Sequence, residues 1–327
     1  MKISRQNHMQ YMRRYKGIGE KVKQAGCWLL IIVLLPYIIT VFINGPKVIT
    51  ASKVDETMVN IKKKGKIPVE EYCIGMLARD MSADYEKEAL NAQAVLVRTE
   101  VYRMIQEAGE SGILPEEAAG EFWTEKQMKS AWGMRYAENY RKLKNALEAT
   151  AGQVLFYGNG LAMTPFFYLS NGYTRDAKEV LGKEDYPYLK IVECPEDANA
   201  ENEIQTVILE VKSEQKGESE EEAGIETLDV EIQETDSVGY VLKIRVGDKV
   251  MSGEEFRNKY HLASSCFTLQ RYNGKIRVTT RGIGHGIGMS QYMANEMAKK
   301  KKNYRNILKY FFNGTDIKEV TEIIKGV

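Results

Sequence analysis

Histidine, cysteine and net charge are all in short supply in this chain. Its three histidines, His8, His261 and His285, are scattered over 327 residues, and none stands at ligand spacing from another or from a cysteine, so no metal and no other cofactor is expected. The four cysteines include no C-x-x-C pair. Cys27 falls in an apolar run, and Cys73, Cys194 and Cys266 allow one disulfide at most. With 46 basic and 45 acidic residues the net charge is +1, which denies the chain the broad basic field of an obligate nucleic-acid binder. Apolar residues are not scarce: 43% hydrophobic against 28% charged is enough to bury a core and lies far from the composition of disorder.

The charge that is present is unevenly placed. Residues 1–26 carry Lys2, Arg5, Arg13, Arg14, Lys16, Lys21 and Lys23 against Glu20 alone, and the run from Cys27 to Ile43 has no charge at all. A hydrocarbon core of ~30 Å needs about 17–25 apolar residues in a helix, and Trp28 and Tyr37 suit the interfaces. Asn44-Gly45-Pro46 makes a poor cleavage site, which favours an uncleaved anchor over a signal peptide. The expected organisation is a basic cytoplasmic segment (1–26), one transmembrane helix (27–44), a stalk (45–66) and a large extracytoplasmic domain (67–320), placing the protein in the cell membrane with its N-terminus inside.

Periodicity then reads along the exported part. Val69 to Ala78 has helical spacing, Arg79 to Asp84 interrupts it, and Leu90, Ala94, Val97, Val101 and Met104 recur as the apolar stripe of a second helix that Asp84 could cap. Asn91, Arg98 and Tyr102 fall on another face of that helix, where they could line a cleft beginning at Asp80. Residues 112–150 continue helical, with Trp123 and Trp132 as core or cleft-wall aromatics. Gln153–Gly160 and Thr164–Leu169 read as a hairpin, Val241–Val246 and Lys275–Thr280 as strands, and Asn303–Phe312 as a last amphipathic helix. The acidic stretch 213–226 reads as a mobile surface insertion. Strands and helices without a βαβ rhythm define an α+β class, arranged as one large domain with two lobes.

The most specific local sequence is Gly282-Ile283-Gly284-His285-Gly286-Ile287-Gly288-Met289-Ser290-Gln291-Tyr292. Glycines at alternate positions bare the backbone to close approach by a ligand. The segment lacks the Lys-Ser/Thr of a P-loop, does not satisfy G-x-G-x-x-G, and does not place Ser290 in a G-x-S-x-G elbow. A lone histidine here fits a structural hydrogen bond as well as it fits catalysis. The polar residues behind it favour a site for a neutral, hydroxyl-rich ligand.

Several segments in order resemble the stage II sporulation protein D family, also called the amidase-enhancer domain: Ile67-Pro68-Val69-Glu70-Glu71-Tyr72, Asp80-Met81, Glu88 to Thr99, Ser170-Asn171-Gly172-Tyr173-Thr174, Tyr186-Pro187-Tyr188-Leu189, Met251 to Arg257, Gly284 to Tyr292, and Ile307 to Thr315. The resemblance implies a lytic transglycosylase acting on peptidoglycan glycan strands during sporulation, in which a single carboxyl serves first as acid and then as base. Asp80 takes the position of the family's glutamate, Arg98 is implied as its positioner, and Asn91, Ser170, Tyr173, Tyr188, His285, Ser290, Gln291 and Tyr292 are implied as glycan-binding. Asn91 stands where the family often has lysine, and Phe311-Phe312 replaces a pair of tyrosines. The alternative is a weak or inactive homologue that binds glycan and recruits or stimulates a cell-wall amidase. Another sporulation membrane protein is a further implied partner.

Overall fold

The computed structural model describes residues 57–120, 122–211 and 224–320. The basic segment, the apolar run expected to cross the membrane, most of the stalk and all but the end of the acidic insertion lie outside the described residues. Among those described, no helix is long and apolar enough to cross a membrane.

The mixed class expected from the sequence is what the chain adopts. Strands 58–61 and 65–68 form a hairpin with Lys62–Lys64 as its turn, and helix α1 (Val69–Asp80) follows directly after Pro68. Glu70 and Glu71 sit in its first turn and Arg79 in its last, the charge order that the helix dipole favours. Helix α2 (Lys87–Glu107) is the axis of a helical lobe. Around it pack α1, strand 153–157 and α4 (Tyr136–Ala149), which follows the shorter α3 (Glu125–Trp132). After the short α5 (Ala177–Leu181) and α6 (Gly253–Lys259) come α7 (Gln291–Lys299) and α8 (Tyr304–Phe311), and these last two close the other side of α2.

Encirclement explains why the pattern of α2 understates its burial. Leu90, Ala94, Val97 and Val101 are buried as the stripe requires, but so are Asn91, Gln93, Arg98, Thr99 and Tyr102. The face expected to line a cleft is therefore interior. Asp84 does not cap α2: the residue before the helix is Glu86, which makes no side-chain cap, and its N–H donates to Asn295 Oδ1 at 2.8 Å.

The second lobe is made of strands. One sheet runs 267–272, 275–281, 204–211, 224–225, and another runs 249–252, 241–246, 230–235, with α6 packed on them. Strand 275–281 alternates cleanly, burying Ile276, Val278 and Thr280. Strand 241–246 instead buries Val241, Ile244 and Val246, because its pairing with 230–235 is irregular on both sides of Lys243 and breaks the alternation there.

One pairing corrects the sequence reading. Strand 153–157 turns at Gly158-Asn159 and pairs at once with 160–161, while its other edge takes 316–319. Residues 166–167 pair in parallel with 289–290. The two-residue turn fixes the near partner, so the 164–169 segment is free to carry the glycine-rich stretch.

Candidate functional site

Asp80 is the last residue of α1, and the helix holds it firmly. Tyr72 Oη donates to Ala118 O at 2.7 Å, and Gly75 lies so close to Trp123 that an added Cβ would come 2.5 Å from Trp123 O. Trp123 N–H donates to Gly75 O at 3.0 Å. The missing side chain at residue 75 thus lets the 122–124 segment lie on α1 and brings the Trp123 indole beside Asp80.

A cleft of about 290 Å³ opens there. Its floor is the turn from Ala78 to Tyr85, Trp123, Trp132, Arg135 and Asn139 contribute from the α3–α4 side, and Tyr168 and Gln291 complete the lining. The Asp80 side chain is 8% exposed, and its Oδ1 accepts from Arg79 Nε at 2.6 Å. Arg135 forms an ion pair with Asp84, which holds the Asp84 carboxyl below the usual carboxylate range. The Trp123 and Trp132 rings meet edge to face, 6.2 Å between centroids. Carboxylates, guanidinium groups, amides and half-buried aromatic faces together suit a ring-shaped, highly hydroxylated ligand.

The glycine-histidine segment reaches this cleft through one residue. Gln291 Nε2 donates to the main-chain O of Asp80 at 2.8 Å, and also to Gln93 Oε1 at 3.4 Å. Gln291 begins α7, whose N-cap is Ser290, with Oγ accepting from Met293 N at 3.2 Å. The bare backbone upstream is approached by the protein itself. At Gly288 (φ +83°) a Cβ would stand 2.0 Å from Pro165 O, and at Gly286 (φ +79°) it would meet Tyr240 and Arg175 at 2.7 and 2.8 Å. These glycines let strand 289–290 pair with 166–167 and let the loop lie on the Arg175 side chain.

Arg175 is the pin between the lobes. Its side chain is 1% exposed, its Nε donates to Asp236 Oδ2 at 2.6 Å, and its Nη1 donates to His285 O at 3.1 Å. The guanidinium lies 4.6 Å from the Tyr240 ring centroid. The His285 ring itself turns inward: Nδ1 accepts from Ile287 N–H at 3.1 Å, and burial lowers its ionisation below the usual imidazole range, against the opposing pull of Glu254.

Of the residues implied as a site, Asp80 and Gln291 line the cleft together, and the others do not. Arg98 is fully buried. It pairs with Glu70 at 2.7 Å and donates to the carbonyls of Thr150 at 2.7 Å, Leu147 at 3.0 Å and Gln153 at 3.3 Å. Asn91 is buried on α2, its Nδ2 donating to Glu88 Oε1 at 3.3 Å. The Tyr188 phenol bridges Met163, accepting from its N–H at 2.7 Å and donating to its O at 3.2 Å, and burial pushes that phenol up to about 12. Tyr173 is 44% exposed. Tyr292 donates its backbone N–H to Tyr168 O at 3.0 Å. Ser170 is buried, its N–H and hydroxyl both donating to Asp197 Oδ2, at 2.8 and 2.7 Å.

Asp197 had no signal in the sequence. Its carboxyl is wholly buried behind the cleft, held by Ser170 and Ser290, and burial pushes it up to about 6 against those hydrogen bonds. Nor did Asn139, Tyr85 or Arg135 stand out, since each takes its meaning from neighbours distant in sequence. Among the described residues no group of three or more His, Cys, Asp or Glu side chains is placed to hold a metal.

Comparison with known proteins identifies the class first. The family model described as Stage II sporulation protein matches residues 57–157, the span that contains α1, α2 and most of the cleft. Stage II sporulation protein D of Bacillus amyloliquefaciens is 35% identical over 79% of this chain and 76% of its own length, and that of Bacillus subtilis is 34% identical over 77% and 75%. The amidase enhancer of Bacillus subtilis is 25% identical over 74% of this chain and 40% of its own. The chain belongs to the stage II sporulation protein D family.

Proposed function

We infer that this protein cleaves peptidoglycan glycan strands as a lytic transglycosylase during sporulation, anchored in the cell membrane by residues 27–44 with Asp80 as its acid and base. The observation that carries the reading is the position of Asp80: a carboxyl on the floor of a sugar-sized cleft, its main chain gripped by Gln291 from the glycine-histidine segment. The protonated carboxyl gives its proton to the glycosidic oxygen as the C1–O bond of the muramic residue breaks. The carboxylate then takes the proton of that residue's own 6-hydroxyl as the oxygen closes onto C1. One bond breaks, one forms, no water is consumed, and the carboxyl ends protonated as it began, so one residue suffices.

A second reading has its own observation. Asp80 is one methylene shorter than glutamate, is nearly buried, and is bound by the adjacent Arg79. A displacement of about 1 Å costs on the order of a hundredfold in rate. A glycan-binding protein that recruits or stimulates a cell-wall amidase needs the cleft but not the proton transfer, and the similarity to a protein named amidase enhancer supports that role. Incubating the protein with peptide-stripped glycan and measuring anhydro-muramic ends by mass spectrometry separates the two. Ends that vanish with Asp80→Asn support the enzyme, whereas binding without ends supports the recruiter.

A further inference from the structure

Of the buried acidic residues, Asp236 and Glu203 are matched by Arg175 and Arg281, whereas Asp197 forms no ion pair among the described residues. Uncharged donors hold it instead. The N–H and hydroxyl of Ser170 donate to its Oδ2 at 2.8 and 2.7 Å, and the Ser290 hydroxyl and the Met293 N–H also hydrogen-bond to the carboxylate. A carboxylate accepts on both oxygens, whereas an amide of the same shape offers one oxygen and turns an NH2 group toward the remaining donors. The ionised form is kept at a cost. Burial pushes the group up to about 6, so at pH 7 the fold holds a charge that a neutral acceptor would avoid.

The two segments tied in this way carry part of the cleft lining. Ser170 follows strand 166–167 and Ser290 ends strand 289–290, and these strands pair in parallel. Tyr168 lies two residues before Ser170 and Gln291 directly after Ser290. Both line the cleft, and the Tyr292 N–H donates to Tyr168 O at 3.0 Å. Asp197 is itself fixed, in the helical turn Asp197–Asn199, by its N–H donating to Cys194 O at 3.1 Å. We propose that Asp197 is a positioning residue of the reaction: by accepting from both segments it sets their separation and, through Ser290, the reach of Gln291 to the main chain of Asp80. The role rests on the transglycosylase reading above. With one side of the clamp lost, the first turn of α7 shifts, and the 2.8 Å contact from Gln291 Nε2 to Asp80 O shifts with it. The acid is then misplaced against the glycosidic oxygen, which slows the chemical step more than it weakens strand binding.

The test compares the full-length wild type with Asp197→Asn, Gln291→Ala and the double variant at pH 7. Two quantities are measured: the rate at which anhydro-muramic ends appear over a range of peptide-stripped strand concentrations, and the melting temperature. Asp197→Asn keeps the size and one acceptor but removes the buried charge, so it is expected to melt no lower than wild type. Its kcat is expected to fall at least about ten-fold while KM moves by less than about threefold. Because Asp197 acts through Gln291, adding Asp197→Asn to Gln291→Ala is expected to lower kcat by less than about a further threefold. A merely structural acceptor would show the reverse, a lower melting temperature with kcat kept. That result, or losses in kcat that multiply in full, overturns the role and leaves the enzyme standing. If Asp197→Asn does not fold, Ser170→Ala takes one donor from the same carboxylate and keeps its charge. It is expected to lower kcat in the same sense, and an unchanged kcat there overturns the role as well. A wild type that yields no ends removes the enzyme and this role together.

Discussion

Arg98→Met separates a structural arginine from a glycan-holding one. Methionine keeps most of the apolar stem of Arg98 and removes the guanidinium, which takes one donor each from the carbonyls of Leu147, Thr150 and Gln153 and from the Glu70 carboxylate, while Leu147 O and Thr150 O still accept from the backbone N–H groups of Thr150 and Gln153. Breaking a buried ion pair by deleting one partner costs about 3–5 kcal/mol, and a buried acceptor left unmade, here at most the Gln153 carbonyl, adds roughly 1–3 kcal/mol before relaxation. Glu70 is 38% exposed, so water recovers part of its share, and a net loss of about 3–5 kcal/mol is the working figure. For a domain of this size that corresponds to a fall of roughly 10 °C in melting temperature, at about 2–4 °C per kcal/mol. Circular dichroism melts of wild type and variant measure it, with glycan binding assayed well below both transitions. A variant that melts like wild type yet loses glycan affinity would refute the argument and return Arg98 to the binding surface.

Other outcomes follow from the same structure. The Asp197 carboxyl ionises at about 6 when folded against 3.8 for an ordinary aspartate, so between those values the folded chain keeps a proton that the unfolded chain has lost. Stability from this group therefore falls as pH rises from about 4 to 6, by about 3 kcal/mol in total, and is flat above. Urea titrations at pH 4.5 and 7 should show this slope in wild type and not in Asp197→Asn, and equal slopes would contradict it. Gly288→Ala places a methyl against Pro165 O at a φ of +83° and should cost about 3 kcal/mol or more, on the order of the largest point-mutant effects, where an unchanged melt would show that the close approach is not as described. Asp80→Glu restores the longer acid and should raise the yield of anhydro-muramic ends if reach alone limits the wild type. No rise would place the limit elsewhere, for instance in the Arg79 contact.

Much of the fold was legible because it follows local periodicity. Helices 69–80, 87–107 and 304–311 and strands 241–246 and 275–281 fall within a few residues of their expected spans. The pairing of residues 166–167 with 289–290 was not legible, because parallel pairing across more than a hundred residues leaves no local mark. The cleft was half legible. Asp80 and Gln291, both implied as site residues by the family resemblance, line it together. Arg98 and Asn91 were read as a cleft face because polar residues on one side of a helix ordinarily face water, and only tertiary packing on every side of α2 makes them interior. Asp197, Asn139 and Tyr85 gave no pattern, since what distinguishes them is the presence or absence of a partner brought in from elsewhere.

The most direct measurement is mass spectrometry of peptide-stripped glycan strands after incubation with the wild-type protein and with Asp80→Asn, at matched binding. Anhydro-muramic ends in the first sample and none in the second are the expected result. Ends produced equally by both proteins would place the proton transfer on some group other than Asp80.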